Sequence, residues 1–140
     1  RNIHVTDKQP ALLKASDINS MDAFEFHHPL NPNSEIYLRF LGRAVGLQRI
    51  GVTIARVPPG KESFIYHAHQ NEEEWVYILS GRGIAEIGDQ EYEVESGDFM
   101  GFGLPQQPHH LRNPFNEDLI YLIGGETGRL DIGIFPRLGK

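Results

Sequence analysis

The chain has no cysteine. Disulfides and thiolate metal ligands are therefore both excluded, and any metal must be held by nitrogen and oxygen. No apolar run approaches the roughly 20 residues that a membrane-spanning helix needs. Basic residues are in deficit. Thirteen Lys and Arg against 19 Asp and Glu leave a formal charge of −6, which argues against nucleic acids and anionic membranes as partners. No stretch is laid out like a signal peptide and there is no Asn-x-Ser/Thr acceptor, so a cytoplasmic address is the expectation. Helical periodicity is scarce as well.

Punctuation is plentiful, with 15 glycines and 9 prolines in 140 residues. The segments between these breakers are short, which favours many brief strands over a few long helices. Residues 1–35 carry the least pattern and read as an irregular arm packed across the body, with at most a short strand or a single helical turn. From residue 36 onward strand signals are regular and predict one barrel domain over 36–140. Ile36, Leu38 and Phe40 alternate with Tyr37 and Arg39. Ile50, Val52 and Ile54 share one face of the next segment, with Arg56 on the same parity near its end. Further strands are expected over 63–69, 74–79, 84–87, 91–95, 99–102, 109–113, 119–123 and 130–135. Glu91, Glu93 and Glu95 form a solvated face of one of them. Nine or ten short strands and no confident helix point to an all-β sandwich or closed barrel, architectures that remove or protect sheet edges.

The chemistry concentrates between Gly60 and Gly81. His67 and His69 lie two apart, so on an extended chain both project from one face while Ala68 points away. Glu74 follows after Gln70-Asn71-Glu72-Glu73, a polar stretch that reads as a turn and resets the parity. Two imidazoles and a carboxylate converging across a hairpin suit a divalent cation. A fourth donor is available at His109 or His110. Only one of these neighbours can face inward from a strand, and parity alone does not choose between them. Glu72 and Glu73 read as a solvated turn, and Asn113 as a strand-end hydrogen-bonder.

Residues 60–113 resemble the two signature motifs of the cupin superfamily. Gly60, His67, His69, Glu74 and Gly81 fill the first, with the gap from Gly60 to His67 one residue longer than the common form. Gly97, His109 and Asn113 fill the second, and that register selects His109 over His110. The loop Leu104-Pro105-Gln106-Gln107-Pro108 departs from the usual Pro-x-Gly spacing. The resemblance implies a double-stranded β-helix, the jelly-roll barrel of the family. It also implies one divalent transition metal per chain (Zn, Mn, Fe, Ni, Co or Cu) on His67, His69, Glu74 and His109.

The strand faces then place Ile54, Ile65, Val76, Ile78, Tyr92, Val94 and Leu111 around the metal, with Arg56 as the other charged candidate. A mostly apolar pocket focused on a metal suits a small organic ligand. The expected function is a metal-dependent enzyme of oxygenase, isomerase, cyclase or decarboxylase type, oxygenase first. The alternative is a non-catalytic metal- or small-molecule-binding module such as a sensor. Trp75, Tyr77 and Leu79 face away from Glu74, toward the arm or a partner subunit, and the resemblance to small cupins implies a homodimer.

Overall fold

Runs of branched and aromatic residues between glycine and proline turns favour pleated, half-buried segments, and the chain forms them where its alternation predicts. The computed structural model describes residues 10–64, 72–126 and the paired backbone at 68–69 and 133–134. In chain order the strands are β1 (Phe24–Phe26), β2 (Ile36–Phe40), β3 (Ile50–Val57), β4 (Ala68–His69), β5 (Glu74–Ser80), β6 (Arg82–Ile87), β7 (Gln90–Glu95), β8 (Phe99–Phe102), β9 (His109–Arg112), β10 (Leu119–Glu126) and β11 (Gly133–Ile134). Helices α1 (Ala15–Ser20) and α2 (Leu41–Ala44) are short. A six-stranded sheet in the order β1-β2-β3-β10-β5-β8 faces a three-stranded sheet β7-β6-β9, and β11 pairs with β4. Every strand pairing among the described residues is antiparallel. The fold is an all-β jelly roll.

The arm is less irregular than its sequence suggests. It carries α1 and β1, and β1 extends the large sheet by pairing Phe24 with Leu38 and Phe26 with Ile36. Ser34 then bridges Glu62 in parallel, and its hydroxyl donates to the Ser63 carbonyl at 3.0 Å. The arm is thus stitched to the barrel by backbone pairing.

Strand β10 is the spine of the large sheet, hydrogen-bonded to β3 on one side and β5 on the other. Leu119 and Tyr121 point inward from it and are buried with Ile36, Val57 and Ile78. Toward its end Gly124 lies opposite Trp75, and a Cβ there would collide with the indole. Glycine at that position lets Trp75 lie flat on the outer face, where it also stacks on Phe99. Tyr77 and Leu79 share that outer face and are exposed.

One parity assignment is inverted. Ala55 and Val57 are the buried residues of β3, and Gly51, Thr53 and Ala55 line a cavity. Ile50, Val52, Ile54 and Arg56 therefore occupy the outer face. A barrel that keeps a hollow needs small residues inside, so here the larger branched residues lie outside. Ile54 does not line the site.

Asn113 closes β9. Its amide donates to the carbonyls of Val57 (2.9 Å) and Glu117 (2.7 Å), while its side-chain oxygen accepts from Phe115 N (3.0 Å). The residue is 1% exposed, so removing it strands buried polar groups. Asn113→Ala is expected to lower unfolding free energy by about 3 kcal/mol in a urea titration, and Asn113→Asp, which loses both donors, to cost a similar amount.

Candidate metal centre

Glu74 opens β5 in the large sheet and His109 opens β9 in the small one, so the pair bridges the two walls of the barrel. His109 Nε2 lies 2.8 Å from Glu74 Oε1. The other ring nitrogen is 2.9 Å from the Gln107 carbonyl. A carbonyl only accepts, so Nδ1 carries a proton and donates it there, which leaves Nε2 as the lone-pair nitrogen of a neutral ring. A lone pair and a carboxylate cannot share a hydrogen bond without a positive charge between them. What lies between them is a proton, carried by the ring or by the carboxyl, or a metal cation.

Three features suit the metal. An imidazole nitrogen and a carboxylate oxygen in contact are a donor set that would suit a divalent transition metal. The Nδ1 hydrogen bond to a carbonyl is the outer contact that orients a metal-bound imidazole. His109 also lies face to face on Phe102, with centroids 3.6 Å apart and planes within 2°. Two electron-rich rings avoid a full sandwich, whereas a ring carrying positive charge favours it.

Other predicted site residues are scattered. His67 and Ile65 lie outside the described residues, and His69 is described only as backbone, paired with Gly133. Among the described residues no group of three or more ligating side chains gathers, and Glu74 with His109 is the part of the predicted set brought together. Val76 and Leu111 line the chamber beside them, and Ile78 is packed in the core. Arg56 does not reach that chamber. Its guanidinium sits 4.2 Å above the Tyr37 ring and 3.8 Å from Asp118, on the outer face. Tyr92 is half exposed and lies in a separate open groove with Val94, Phe99 and Met100. Both corrections follow from position, Arg56 from the inverted face of β3 and Tyr92 from the end of an edge hairpin.

Two adjoining cavities meet at Glu74. A small chamber of about 30 Å³ lies against His109, Phe102 and Leu111. A larger one of about 250 Å³ runs past Phe40, Thr53 and Ala55 to Glu72, Glu73 and Glu126. Glu72 and Glu73 thus stand at its edge rather than on a detached turn. The variant loop before β9 serves the same region, since the Gln106 amide donates to the Glu72 carbonyl and the Gln107 carbonyl orients His109. Phe64, Glu74, Tyr121 and Ile123 line both chambers. Tyr121 is legible as an inward residue from its alternation with Leu119 and Ile123, but nothing in the alternation separates a cavity tyrosine from a core one. Burial, then the Glu74 carboxylate, push its phenol well above the usual range against a partial pull from Ser63, so it is a proton-bearing donor.

The model of the Cupin domain family matches residues 53–125, just over half of the chain. The chain is a cupin. A solved protein from Acidithiobacillus ferrooxidans, provisionally described as a sugar phosphate isomerase, is 37% identical, superimposes with a TM-score of 0.88 and aligns over 91% of this chain and 82% of its own. The polyketide cyclase RemF from Streptomyces resistomycificus shares the fold at 19% identity, with a TM-score of 0.73 over 89% of this chain and 85% of its own. An uncharacterised protein of Methanocaldococcus jannaschii is 37% identical over 65 residues, 46% of this chain and 50% of that protein, so the match spans half of its length.

In this cupin the neighbouring His110 takes a different place. Its ring is buried, with Nε2 3.6 Å from Glu62 and Nδ1 3.3 Å from Glu86. Glu62 is held in turn by the side-chain amides of Asn31 (2.9 Å) and Asn33 (3.3 Å), so the cluster clamps the arm to the small sheet. Burial, with help from Arg112 and His109, lowers the His110 pKa despite the pull of Glu62. Burial alone would raise Glu62, but the two amides, His110 and Arg112 outweigh it and hold the carboxyl below its ordinary value. Both shifts act in one direction. The unfolded chain takes up the His110 proton below about pH 6.5 before the folded chain does, so stability falls as pH drops through that window. The Glu62 contribution, present above its unfolded pKa, is lost at still lower pH as its carboxylate protonates. In chelator-containing buffer, urea unfolding midpoints are expected to fall between pH 7 and pH 5, and His110→Gln to flatten that slope even if it lowers the midpoint itself.

Proposed function

We propose that this cupin is a metal-dependent enzyme holding one divalent transition metal on His67, His69, Glu74 and His109 and acting on a small organic molecule in the adjoining cavity. The observation that carries the reading is the Glu74–His109 pair, two acceptors 2.8 Å apart at the junction of two cavities. When bound, the metal supplies Lewis acidity to a ligand oxygen. The chain's own residues do the rest. Glu74 and His109 set the metal between the sheets, and Gln107 and Phe102 hold the imidazole in orientation. Phe40, Phe64 and Ile123 give the larger chamber apolar walls, and its 250 Å³ suits a small ligand. Isomerase chemistry heads the candidates because the 37% identical relative is provisionally described as a sugar phosphate isomerase. Oxygenase, cyclase and decarboxylase chemistry follow.

The exposed outer face supports a second copy of this chain as partner. Phe99, on the edge strand β8, is 65% exposed and continues the face of Tyr77 and Leu79, while the backbone of β8 has one free side in the large sheet among the described residues.

Elemental analysis of protein purified without added metal is expected to find about one transition metal per chain, and Glu74→Ala or His109→Ala to weaken its retention roughly 10-fold or more with the fold preserved by circular dichroism. Metal content near zero, or unchanged in a His67→Ala, His109→Ala double variant, overturns the metal reading. A panel of aldoses and their phosphates tests turnover, which Glu74→Ala should abolish. Metal and ligand binding without turnover across the panel places the protein with the non-catalytic binding modules instead. Light scattering is expected to give a dimer mass that Phe99→Glu reduces to a monomer, and a monomeric parent protein removes the pairing proposal.

A further inference from the structure

The polar lining of the two cavities is unevenly distributed. Of the two, the carboxylates of Glu72, Glu73 and Glu126 line the larger chamber, His109 lines the smaller, and Glu74 stands at the junction. Of the four described residues common to both chambers, Tyr121 is the one with a hydroxyl. It reaches the site from the middle of β10. Its backbone pairs with Ile78 and Ala55, on the same strand as the Gly125–Glu74 pair. The phenol therefore enters the barrel beneath Glu74, at the level of Ser63 and Leu111.

Ser63 is a polar neighbour of the phenol. Its hydroxyl oxygen accepts from Leu111 N at 3.1 Å, and the same hydroxyl neighbours the Tyr121 phenol. The phenol bears a proton and lines both cavities, so an oxygen of a molecule held there can accept a hydrogen bond from it. Tyr121 is 2% exposed, so that donor is shielded from bulk water and reserved for what occupies the chamber. Phe64 and Ile123, the apolar residues that share both cavities, supply no competing polar group.

We propose that Tyr121 is a second recognition point, donating a hydrogen bond to an oxygen of a bound molecule whose other oxygen lies at the Glu74–His109 centre. The substrate class that follows is a short molecule with two oxygen functions separated by a few carbons, such as a hydroxylated acid or a polyol carbonyl compound. Tyr121 then acts as a specificity and positioning residue and need not touch the metal. The inference rests on the metal-site reading above and deepens it.

The test uses cobalt(II)-loaded protein, whose visible absorption reports ligands entering the metal's coordination sphere. The probes are 3-hydroxypropionate and 4-hydroxybutyrate, each titrated against the unhydroxylated acid of the same length, propionate or butyrate. In the parent protein at least one hydroxylated acid is expected to bind more tightly than its partner. Tyr121→Phe keeps the ring and should remove that advantage, roughly three- to tenfold, while leaving the unhydroxylated acids and the cobalt content unchanged. A merely structural tyrosine would lower the melting temperature and leave the ratio untouched. Ser63→Ala, which keeps the phenol but removes its polar neighbour, is expected to erode the same advantage and carries the test if Tyr121→Phe does not fold. An advantage that survives both variants, or no advantage in the parent protein, overturns the proposal. Equal weakening of every acid also overturns it, because the effect then runs through the metal site. Failure to take up cobalt is seen before any ligand is added and sinks the metal reading itself.

Discussion

The contact between Glu74 and His109 joins the two walls of this barrel with a pair of groups that repel unless a positive charge lies between them. Around it the structure is arranged to suit such a charge. The Gln107 carbonyl accepts a hydrogen bond from the far ring nitrogen, which leaves the near nitrogen with its lone pair. Phe102 lies flat beneath the ring and favours it when charged. Two chambers open beside the carboxylate. An apolar barrel core would be more stable without such a pair, since burying a carboxylate and an imidazole costs several kcal/mol. Keeping them implies work for them.

Binding and stability are divided between adjacent residues of one strand. His109 turns into the barrel, while His110 turns outward and is nevertheless buried, because Glu62 and the arm cover it. One imidazole serves the site and its neighbour locks the arm. Strand alternation makes this division possible, as successive side chains leave on opposite faces. Asn113, four residues on, secures the end of the same strand by binding the Val57 carbonyl of β3 and one carbonyl and one amide of the turn that follows. The site is rigid because its strand is pinned at both ends, by the Gln106–Glu72 contact at one and by Asn113 at the other.

Much of this architecture is legible in the order of the residues alone. The strands at 36–40, 74–79 and 99–102 lie within a residue of their expected bounds because their alternation is strict and their ends are marked by glycine, serine or aspartate. Glu74 lies at the site and Asn113 at the strand end, as their spacing suggests. Strand β3 goes the other way, since a rule that places large apolar residues inside assumes a filled core. Gly51, Thr53 and Ala55 face a hollow instead. Arg56 falls on the outer side for the same reason. Tyr92 has the expected parity, but alternation says nothing about how far along a strand the barrel remains closed.

The amino-acid sequence by itself determined the all-β architecture and the cupin motifs, because each depends on local periodicity or on fixed spacing along the chain. Only the tertiary structure decided that Glu74 and His109 meet, that His110 clamps the arm, and that Tyr121 stands between two cavities. Those relations join residues 35, 48 and 47 positions apart (Glu74 to His109, Glu62 to His110, Glu74 to Tyr121). Contacts at that separation are fixed by how sheets pack across a core, which no pattern of neighbours along the chain encodes.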